Sequence, residues 1–270
     1  MKQILALTLV FVSGCTIAPR ITVSNGPSSN VTGAGVIDGK IYTTAYQQTA
    51  AEYRALCYQA YNIARLRIDQ LLGENHARPR AIVTDIDETV LNNSAFEAHQ
   101  TLQGKDYTSA DWTVWANKIA ADTLPGSLDF LTYAASKGFE IFYVTNRDSA
   151  ETSVTLENLR KFHFPDADSS HFLPMAGSSS KESRRQRLSE HYQIVMLLGD
   201  NLGDFSALFD RKTVQERNDN VNALREEFGD RFIILPNPTY GDWESSLYHY
   251  SYGLTGAQKD SVIRGSLYSY

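Results

Sequence analysis

The stretch Ala81-Ile82-Val83-Thr84-Asp85-Ile86-Asp87-Glu88-Thr89 decides the fold of this chain. Its first four residues are apolar or β-branched and do not alternate with polar ones, which predicts a short strand buried on both faces of a parallel sheet. Asp85 and Asp87 follow two residues apart, so in an extended chain their side chains project to the same face. Two close carboxylates repel each other unless a cation lies between them or one is protonated. The stretch therefore predicts a buried strand that ends at a charged site.

Other apolar strands of the chain also end in polar residues. Residues 139–144 lead into Thr145, and residues 194–198 lead into Gly199-Asp200. Helical patterns separate these strands, and such alternation predicts an α/β fold with a parallel sheet and right-handed crossovers. Ligands of such sheets bind beyond the carboxyl ends of the strands. We therefore expect Asp85, Thr145 and Asp200 to lie close together at one edge.

The acidic residues at these strand ends indicate a metal site. Asp200 adds a third carboxylate, and Asp204 follows it by one helical turn. Oxygen ligands without a nearby His or Cys favour a hard divalent cation, magnesium first. A solvated loop residue or a helix cap would explain any one of these aspartates equally well. Their coincidence at strand ends, together with Thr145 and Lys181, favours the site.

Four segments resemble, in order, the motifs of the haloacid-dehalogenase-like (HAD) superfamily. They are Asp85-Ile86-Asp87-Glu88-Thr89-Val90-Leu91, Thr145, Lys181 and Gly199-Asp200-Asn201-Leu202-Gly203-Asp204-Phe205. The first and the last are similar to the bipartite signature of class C bacterial acid phosphatases, and the resemblance runs from the helix around Tyr53 to Tyr240. It implies a HAD-like, doubly wound, Rossmann-like parallel sheet with a small, mainly helical cap, whose elements we expect around residues 92–124.

The resemblance also implies a role for each motif residue in hydrolysing a phosphomonoester. Asp85 would attack phosphorus and carry an aspartyl-phosphate, which divides one difficult displacement into two easier ones. Asp87 would act as general acid and then as general base. Thr145, Asn146 and Lys181 would hold the phosphoryl oxygens, with Lys181 neutralising the charge that develops there.

A magnesium ion is the cofactor that the resemblance implies. Its protein ligands would be the carboxylates of Asp85 and Asp200 and the backbone carbonyl of Asp87. Asp204 would orient these ligands without binding the ion itself.

The substrate class is predicted from two aromatic residues. Trp112 lies in the expected cap and Tyr240 follows the last strand, where relatives stack a Trp and a Tyr on a nucleobase. Stacking tolerates every base, because every base has a π-face. We therefore expect 5′-nucleotides and nicotinamide mononucleotide as substrates, with tolerance for aryl phosphates. Arg147 would pair with phosphate or with a cap carboxylate. Packing within a small cap is the alternative explanation of Trp112.

Three positions depart from the family pattern. Thr84 stands where an aliphatic residue is usual before the nucleophile, Phe96 where Tyr is usual, and Met196 where Leu is usual. The exchange of Leu for Met is a mild change in packing. Thr84 and Phe96 affect the expected substrate preference more than the chemistry.

The N-terminus predicts an exported and lipid-anchored protein. Residues 1–15 resemble a lipoprotein signal peptide that ends at a lipidated Cys15, because the apolar run is too short to span a bilayer. An ordinary signal with a chance cysteine is the alternative. Residues 16–40, rich in Ser, Thr, Gly and Asn, are expected to form a flexible tether, and residues 41–270 the phosphatase domain. Thr16 after the cysteine favours the outer membrane, facing the periplasm or the cell surface.

The composition limits the partners. The chain has 25 Lys and Arg against 31 Asp and Glu, a formal charge of −6. Polymeric nucleic acid is therefore not an expected partner, since its binding needs a broad basic surface. Small phosphomonoesters and a membrane, reached through the lipid anchor, are the expected partners, and a homodimer is compatible with the resemblance.

Three other functions use the same features. A haloacid dehalogenase also has an aspartate nucleophile, but it needs neither Asp87 nor magnesium. A surface lipoprotein would bind a ligand on a degenerate phosphatase fold, although such proteins usually lack the nucleophile that Asp85 supplies. A phosphotransferase would use the same covalent intermediate with an alcohol as acceptor.

Overall fold

The structure is a computed structural model that describes residues 35–74 and 77–270. The expected signal peptide, Cys15 and residues 16–34 of the expected tether lie outside the described residues. None of the helices in the described ranges is long and apolar enough to cross a membrane.

A five-stranded parallel sheet forms the centre of the fold, with the stretch from Ala81 to Thr84 in its middle strand. The strand order is β5-β4-β1-β6-β7, and a separate two-stranded antiparallel sheet pairs β2 with β3. The strands are β1 (Arg80–Thr84), β2 (Leu91–Asn92), β3 (Asp122–Thr123), β4 (Glu140–Asp148), β5 (Phe172–Met175), β6 (Gln193–Gly199) and β7 (Phe232–Ile234).

Helices connect the strands and cover the sheet. In the described part of the chain the α-helices are α1 (Val36–Thr49), α2 (Ala51–Leu71), α3 (Ser94–Leu102), α4 (Ser109–Ala116), α5 (Ser127–Ser136), α6 (Thr152–Lys161), α7 (Glu182–Ser189), α8 (Val214–Ala223), α9 (Asp242–Leu247) and α10 (Gly256–Ser266).

The two faces of the sheet carry separate hydrophobic clusters. Ile82 of β1 packs with residues of α2, α5 and α6 on one face. Its neighbours Ala81 and Val83 pack on the other face with Leu188 of α7. Because consecutive strand residues point to opposite faces, a strand buried on both sides must be apolar at every position. The predicted α/β fold with a parallel central sheet is confirmed.

The N-terminal helices differ from the sequence prediction. A separate helix precedes the expected helix around Tyr53, because Ala50 is extended (φ −77°, ψ 125°) and separates α1 from α2. Helix α1 also begins at Val36, so residues 36–40 of the expected tether are helical. The chain turns at Ala50 because α2 lies on the sheet, whereas α1 packs against α3.

Residues 91–123 hold the short strands β2 and β3 with helices α3 and α4 between them. This is the segment in which the cap elements were expected. Two distant parts of the chain add to it: Gln48 of α1 donates to the carbonyl oxygen of Ser94 at 3.0 Å, and Lys259 of α10 pairs with Asp106 at 2.6 Å. Helices α1 and α10 therefore both contact this segment.

Candidate active site

The parallel register brings the carboxyl ends of three strands together. Thr84 of β1 lies beside Tyr143 of β4 and Leu198 of β6, and the Asp85 amide donates to the Leu198 carbonyl oxygen at 2.9 Å. Asp85, Thr145 and Asp200 follow these positions within two residues. The register of the sheet therefore brings these three residues to the same edge, as expected.

Three carboxylates form a compact cluster at this edge. Oxygen atoms of Asp85, Asp200 and Asp204 lie within 4.8 Å of one another. Lys181 opposes them, with its Nζ 2.5 Å from Asp85 Oδ1 and 2.6 Å from Asp204 Oδ1. Three carboxylates against one ammonium, in a largely buried site, leave an excess of negative charge.

This excess perturbs the ionisation of the cluster. Burial raises the pKa of Asp85 to about 7; the charge of Lys181 opposes the rise, and repulsion from Asp204 adds to it. Burial and repulsion from Asp204 and Asp85 raise the pKa of Asp200 well above its usual range. Although burial alone would lower it, the charges of Asp204 and Asp85 raise the pKa of Lys181. A strongly perturbed group in a cleft is typical of a functional site.

The donor set fits a hard divalent cation. Asp85, Asp200 and Asp204 offer only carboxylate oxygens, the ligands that a hard divalent cation prefers. Asn237 orients Asp200, because its Nδ2 donates to Asp200 Oδ2 at 2.7 Å. Both oxygens of Asp204 are engaged, one by Lys181 and the other by the backbone N–H of Asn201 at 3.0 Å. This arrangement suits the orienting role expected of Asp204.

The carboxylate of Asp87 lies apart from this cluster. Arg147 donates to it from Nε and NH2, the shortest contact being 2.7 Å, and Asn93 Nδ2 donates to Asp87 Oδ1 at 2.8 Å. Among the described residues, the carboxylate that Arg147 contacts is that of Asp87, and its expected contact with phosphate or with a cap carboxylate stays a prediction. Arg147 is 4% exposed, and its guanidinium is directed at Asp87 and at Thr155. Arg147 thus contacts the expected acid, and both residues line the cleft.

The residues expected to bind phosphate lie at the end of β4 and the start of α7. Strand β4 continues to Asp148, so Thr145 and Arg147 are buried while Asn146 between them is exposed, as the two-residue period of a strand requires. Arg184 holds this strand end by donating to the Thr145 carbonyl oxygen at 2.6 Å and to Asn146 Oδ1 at 2.7 Å. Lys181 is the residue that precedes α7.

A cleft of about 610 Å³ contains the site. Trp112, Tyr240, Asn146, Arg147 and Lys181 all line it together with the acidic cluster. The volume lies within the range typical of small-molecule pockets. The structure therefore brings every predicted site residue of the described chain into or beside one cleft.

The two aromatic residues of the cleft are fixed by their neighbours. Trp112 Nε1 donates to Glu151 Oε2 at 3.2 Å, and the Trp112 ring meets Phe96 edge-on with 5.3 Å between centroids. The hydroxyl of Tyr240 contacts Glu88. Phe96, one of the departures from the family pattern, therefore supports Trp112, whereas Met196 lies in the core. Thr84 is buried and bonds the Asp85 carbonyl oxygen.

Sequence reasoning missed four residues that organise the site: Glu88, Asn93, Arg184 and Asn237. Glu88 stands inside the quoted stretch but was given no role. Asn237 follows the last strand, so its position at a carboxyl end was an available signal. Nothing in the local pattern distinguishes Asn93 or Arg184 from surface residues, because Asn93 is bonded by Trp115, 22 residues away, and Arg184 bonds Thr145, 39 residues away.

Comparisons with known proteins agree with these observations. The family described as HAD superfamily, subfamily IIIB (Acid phosphatase) matches residues 29–243. The class C acid phosphatase from Bacillus anthracis is 41% identical, with a TM-score of 0.84 over 87% of this chain and 99% of that chain. A structure of that phosphatase with tungstate bound matches equally well, with 98% of its chain covered.

A plant protein shows a more distant similarity. Acid phosphatase 1 from Solanum lycopersicum is 28% identical over 167 residues, which are 58% of this chain and 57% of the plant protein. The chain thus spans little more than half the length of this relative. The resemblance inferred from the motifs is confirmed by the family match over residues 29–243 and by the Bacillus anthracis structure, and the chain belongs to the acid phosphatases of HAD subfamily IIIB.

Proposed function

We propose that this phosphomonoesterase hydrolyses small phosphate esters, chiefly 5′-nucleotides and nicotinamide mononucleotide, through an aspartyl-phosphate on Asp85. The observation that carries the proposal is the position of Asp85. Its carboxylate lies at the end of the central strand, touches Lys181 and shares a cluster with Asp200 at the floor of the cleft. A nucleophile beside a fixed cation, in a cleft open to substrate, suits attack on an anionic phosphoryl group.

The reaction proceeds in two displacements. In the first, an Asp85 oxygen forms a bond to phosphorus while the bond to the leaving oxygen breaks, and Asp87 protonates that oxygen. In the second, water attacks the aspartyl-phosphate, Asp87 takes its proton, and phosphate leaves with Asp85 restored. Lys181 neutralises charge on the phosphoryl oxygens in both steps. Uncatalysed phosphate-monoester hydrolysis is so slow that accelerations of up to ~10²¹ are known, so several such contributions are needed.

Magnesium is the metal we propose for the site, held by the carboxylates of Asp85 and Asp200 and the backbone carbonyl of Asp87. When bound, it supplies positive charge that polarises the phosphoryl group and offsets repulsion between substrate and carboxylates. The oxygen-only donor set and the net negative charge of the cluster support this assignment.

The cleft supports a nucleotide as substrate. Trp112 and Tyr240 line it together with Asp85, and a base held between flat rings would be bound with little preference among bases. The related Bacillus anthracis phosphatase has been solved with tungstate, a tetrahedral oxyanion like phosphate. Arg147 makes a cation–π contact with Trp112, with its Cζ 5.2 Å from the centroid of the Trp112 ring.

A substrate panel tests this assignment. We expect adenosine, guanosine, cytidine and uridine 5′-monophosphates and nicotinamide mononucleotide to be hydrolysed with a higher kcat/KM than glycerol phosphate. Trp112→Ala should abolish most of this preference, because base–aromatic stacking contributes about 1–3 kcal/mol per base. Tyr58→Ala, on the exposed side of α2 and outside the residues that line the cleft, is the matched control. Equal rates across the panel that Trp112→Ala leaves unchanged would remove the nucleotide assignment.

We further propose that Cys15 anchors the protein to the outer membrane through lipid. The apolar run before Val12-Ser13-Gly14-Cys15 supports this proposal. Cys15→Ser should move the protein from the membrane fraction into the soluble fraction of the producing cell. Retention in the membrane fraction would contradict the anchor.

A further inference from the structure

Asn93 joins the proposed general acid to the interior of the domain. It is 1% exposed and directs its Nδ2 to Asp87 Oδ1 at 2.8 Å, while its Oδ1 accepts from Trp115 Nε1 at 2.9 Å. An indole N–H can only donate, so the amide oxygen must face Trp115 and the amide NH2 must face Asp87. Trp115 therefore determines which way the Asn93 amide points.

Glu88 also contacts Asn93. Its fully buried carboxylate accepts from the Asn93 backbone N–H at 2.7 Å, from Asn93 Nδ2 at 3.4 Å and from the Tyr240 hydroxyl. Gln47 of α1 adds a further donor at 3.4 Å. Glu88 has φ +53°, a left-handed conformation that is uncommon for a residue with a long side chain. Strained residues of this kind persist where surrounding contacts hold them.

The two oxygens of Asp87 are bonded unequally as a result. Oδ1 accepts from Arg147 NH2 at 2.7 Å, from Asn93 at 2.8 Å and from Arg147 Nε at 3.1 Å. Among the described residues, Oδ2 accepts a longer bond of 3.2 Å, from Arg147 Nε. A carboxylate oxygen offers about two lone-pair sites, so Oδ1 is saturated while Oδ2 keeps capacity for a proton.

We propose that Asn93 is a positioning residue that saturates Oδ1 of Asp87 and so reserves Oδ2 for proton exchange with the leaving oxygen. Trp115 and Glu88 act with it by orienting its amide. The inference rests on the proposed role of Asp87 as general acid. Without Asn93, the carboxylate can rotate about its Cβ–Cγ bond, and the proton-bearing oxygen is no longer held toward the cleft.

The effect on the reaction rate of losing this positioning depends on the leaving group. A good leaving group such as 4-nitrophenolate departs with little protonation, whereas an alkoxide needs the proton in the transition state. A structural defect, in contrast, lowers the active fraction and reduces both rates equally. The ratio of kcat/KM for 4-nitrophenyl phosphate to that for benzyl phosphate, a substrate of similar size, therefore isolates the positioning role.

The test measures this ratio in wild type, Asn93→Ala and Trp115→Phe at saturating magnesium. General acid catalysis contributes about 10²–10⁴-fold, so we expect Asn93→Ala to raise the ratio by about 10-fold or more. Trp115→Phe keeps an aromatic side chain at this position but removes the indole N–H that donates to Asn93. It should raise the ratio by a smaller factor. The ratio does not depend on how much of a variant folds, so it remains readable for poorly expressed variants.

Asn158→Ala is the matched control. Asn158 is 3% exposed, and both ends of its amide bond the backbone of Ala121, away from Asp87. This variant should lose stability as Asn93→Ala does, yet keep the wild-type ratio.

Asp87→Asn distinguishes a failure of Asp87 as general acid from a failure of Asn93 as its positioning residue. If Asp87→Asn leaves the ratio unchanged, the role of Asp87 as general acid fails and the proposed mechanism with it. If Asp87→Asn raises the ratio strongly while Asn93→Ala and Trp115→Phe leave it at the wild-type value, the positioning role of Asn93 is overturned.

Discussion

At the scale of single residues, Gly199 makes room for the acidic cluster. It ends β6 directly before Asp200, and a Cβ at this position would overlap the carboxylate of Asp204. That carboxylate bonds Lys181 and the Asn201 backbone. The glycine is therefore required by a close approach, and a side chain there must displace either Asp204 or the strand.

Gly199→Ala should weaken magnesium binding without unfolding the protein. Loss of an orienting contact typically costs about 10- to 100-fold in metal affinity or activity. We expect the magnesium concentration for half-maximal phosphate release to rise by such a factor. Gly265→Ala in α10, where a Cβ meets nothing within 4 Å, is the control. An unchanged magnesium dependence of Gly199→Ala would contradict the packing of Asp204 against Gly199.

At this scale the sequence predicted the charged residues better than their neutral partners. Asp85 and Asp200 could be found because each directly follows a strand, and Lys181 could be found through the motif resemblance. Asn93 could not be found, because its role depends on the distant Trp115 and on the rotamer of Asp87. Hydrogen-bond partners between side chains depend on tertiary packing, and no local pattern encodes them.

At the scale of elements, α10 is tied to the cap through Asp106. Lys259 of α10 lies 2.6 Å from Asp106 Oδ2, and Lys40 of α1 lies 3.4 Å from Oδ1. Partial burial raises the pKa of Asp106, but the hydrogen bond from Lys259 and the charge of Lys40 bring it down to about 2. One carboxylate therefore links the first and last helices of the domain.

The free energy of unfolding should depend on pH because of the ion pairs of Asp106. The folded pKa of Asp106 lies below its usual value of 3.8, so its contribution is complete above about pH 4 and is lost as the pH falls toward 2. The Asp106 side chain is 43% exposed, so solvent screening limits the contribution to about 1 kcal/mol. Asp106→Asn should lower the free energy of unfolding in urea by about this amount at pH 7 and by less at pH 3.

Asp260→Asn provides the control for this prediction, because Asp260 pairs with Arg264 inside α10 and not with the cap. A deficit of Asp106→Asn that stays constant from pH 7 to pH 3 would contradict the ion pair.

The elements were predicted unevenly. Strands β1, β4 and β6 contain apolar runs that the local sequence reveals, whereas their order in the sheet was not predicted. The break between α1 and α2 falls at Ala50, the residue type with the highest helix propensity, so no local signal marks it. Tertiary packing decides that turn, because α1 must reach α3.

At the scale of the whole molecule, folding brings together the negative charges of the cluster. Asp85, Asp200 and Asp204 come from two different strand ends and repel one another in the folded state. A cation that binds only the folded state stabilises it by mass action. The stability of the protein should therefore depend on magnesium even without substrate.

Magnesium at about 100 times its dissociation constant should raise the free energy of unfolding by about 2.7 kcal/mol. Thermal unfolding with magnesium chloride, against potassium chloride of equal ionic strength, measures this effect. Asp200→Asn should lose most of the increase, and Asp219→Asn on the exposed face of α8 should keep it. An equal increase in wild type and Asp200→Asn would place the magnesium elsewhere.

The central claim is that Asp85 is the nucleophile, and phosphate release by Asp85→Asn tests it most directly. The substitution keeps the shape of the side chain and leaves Lys181 its contact with Asp204. We predict that Asp85→Asn, with the circular dichroism spectrum of wild type, releases no measurable phosphate from adenosine 5′-monophosphate at saturating magnesium. Turnover by the folded variant at a substantial fraction of the wild-type rate would contradict the account.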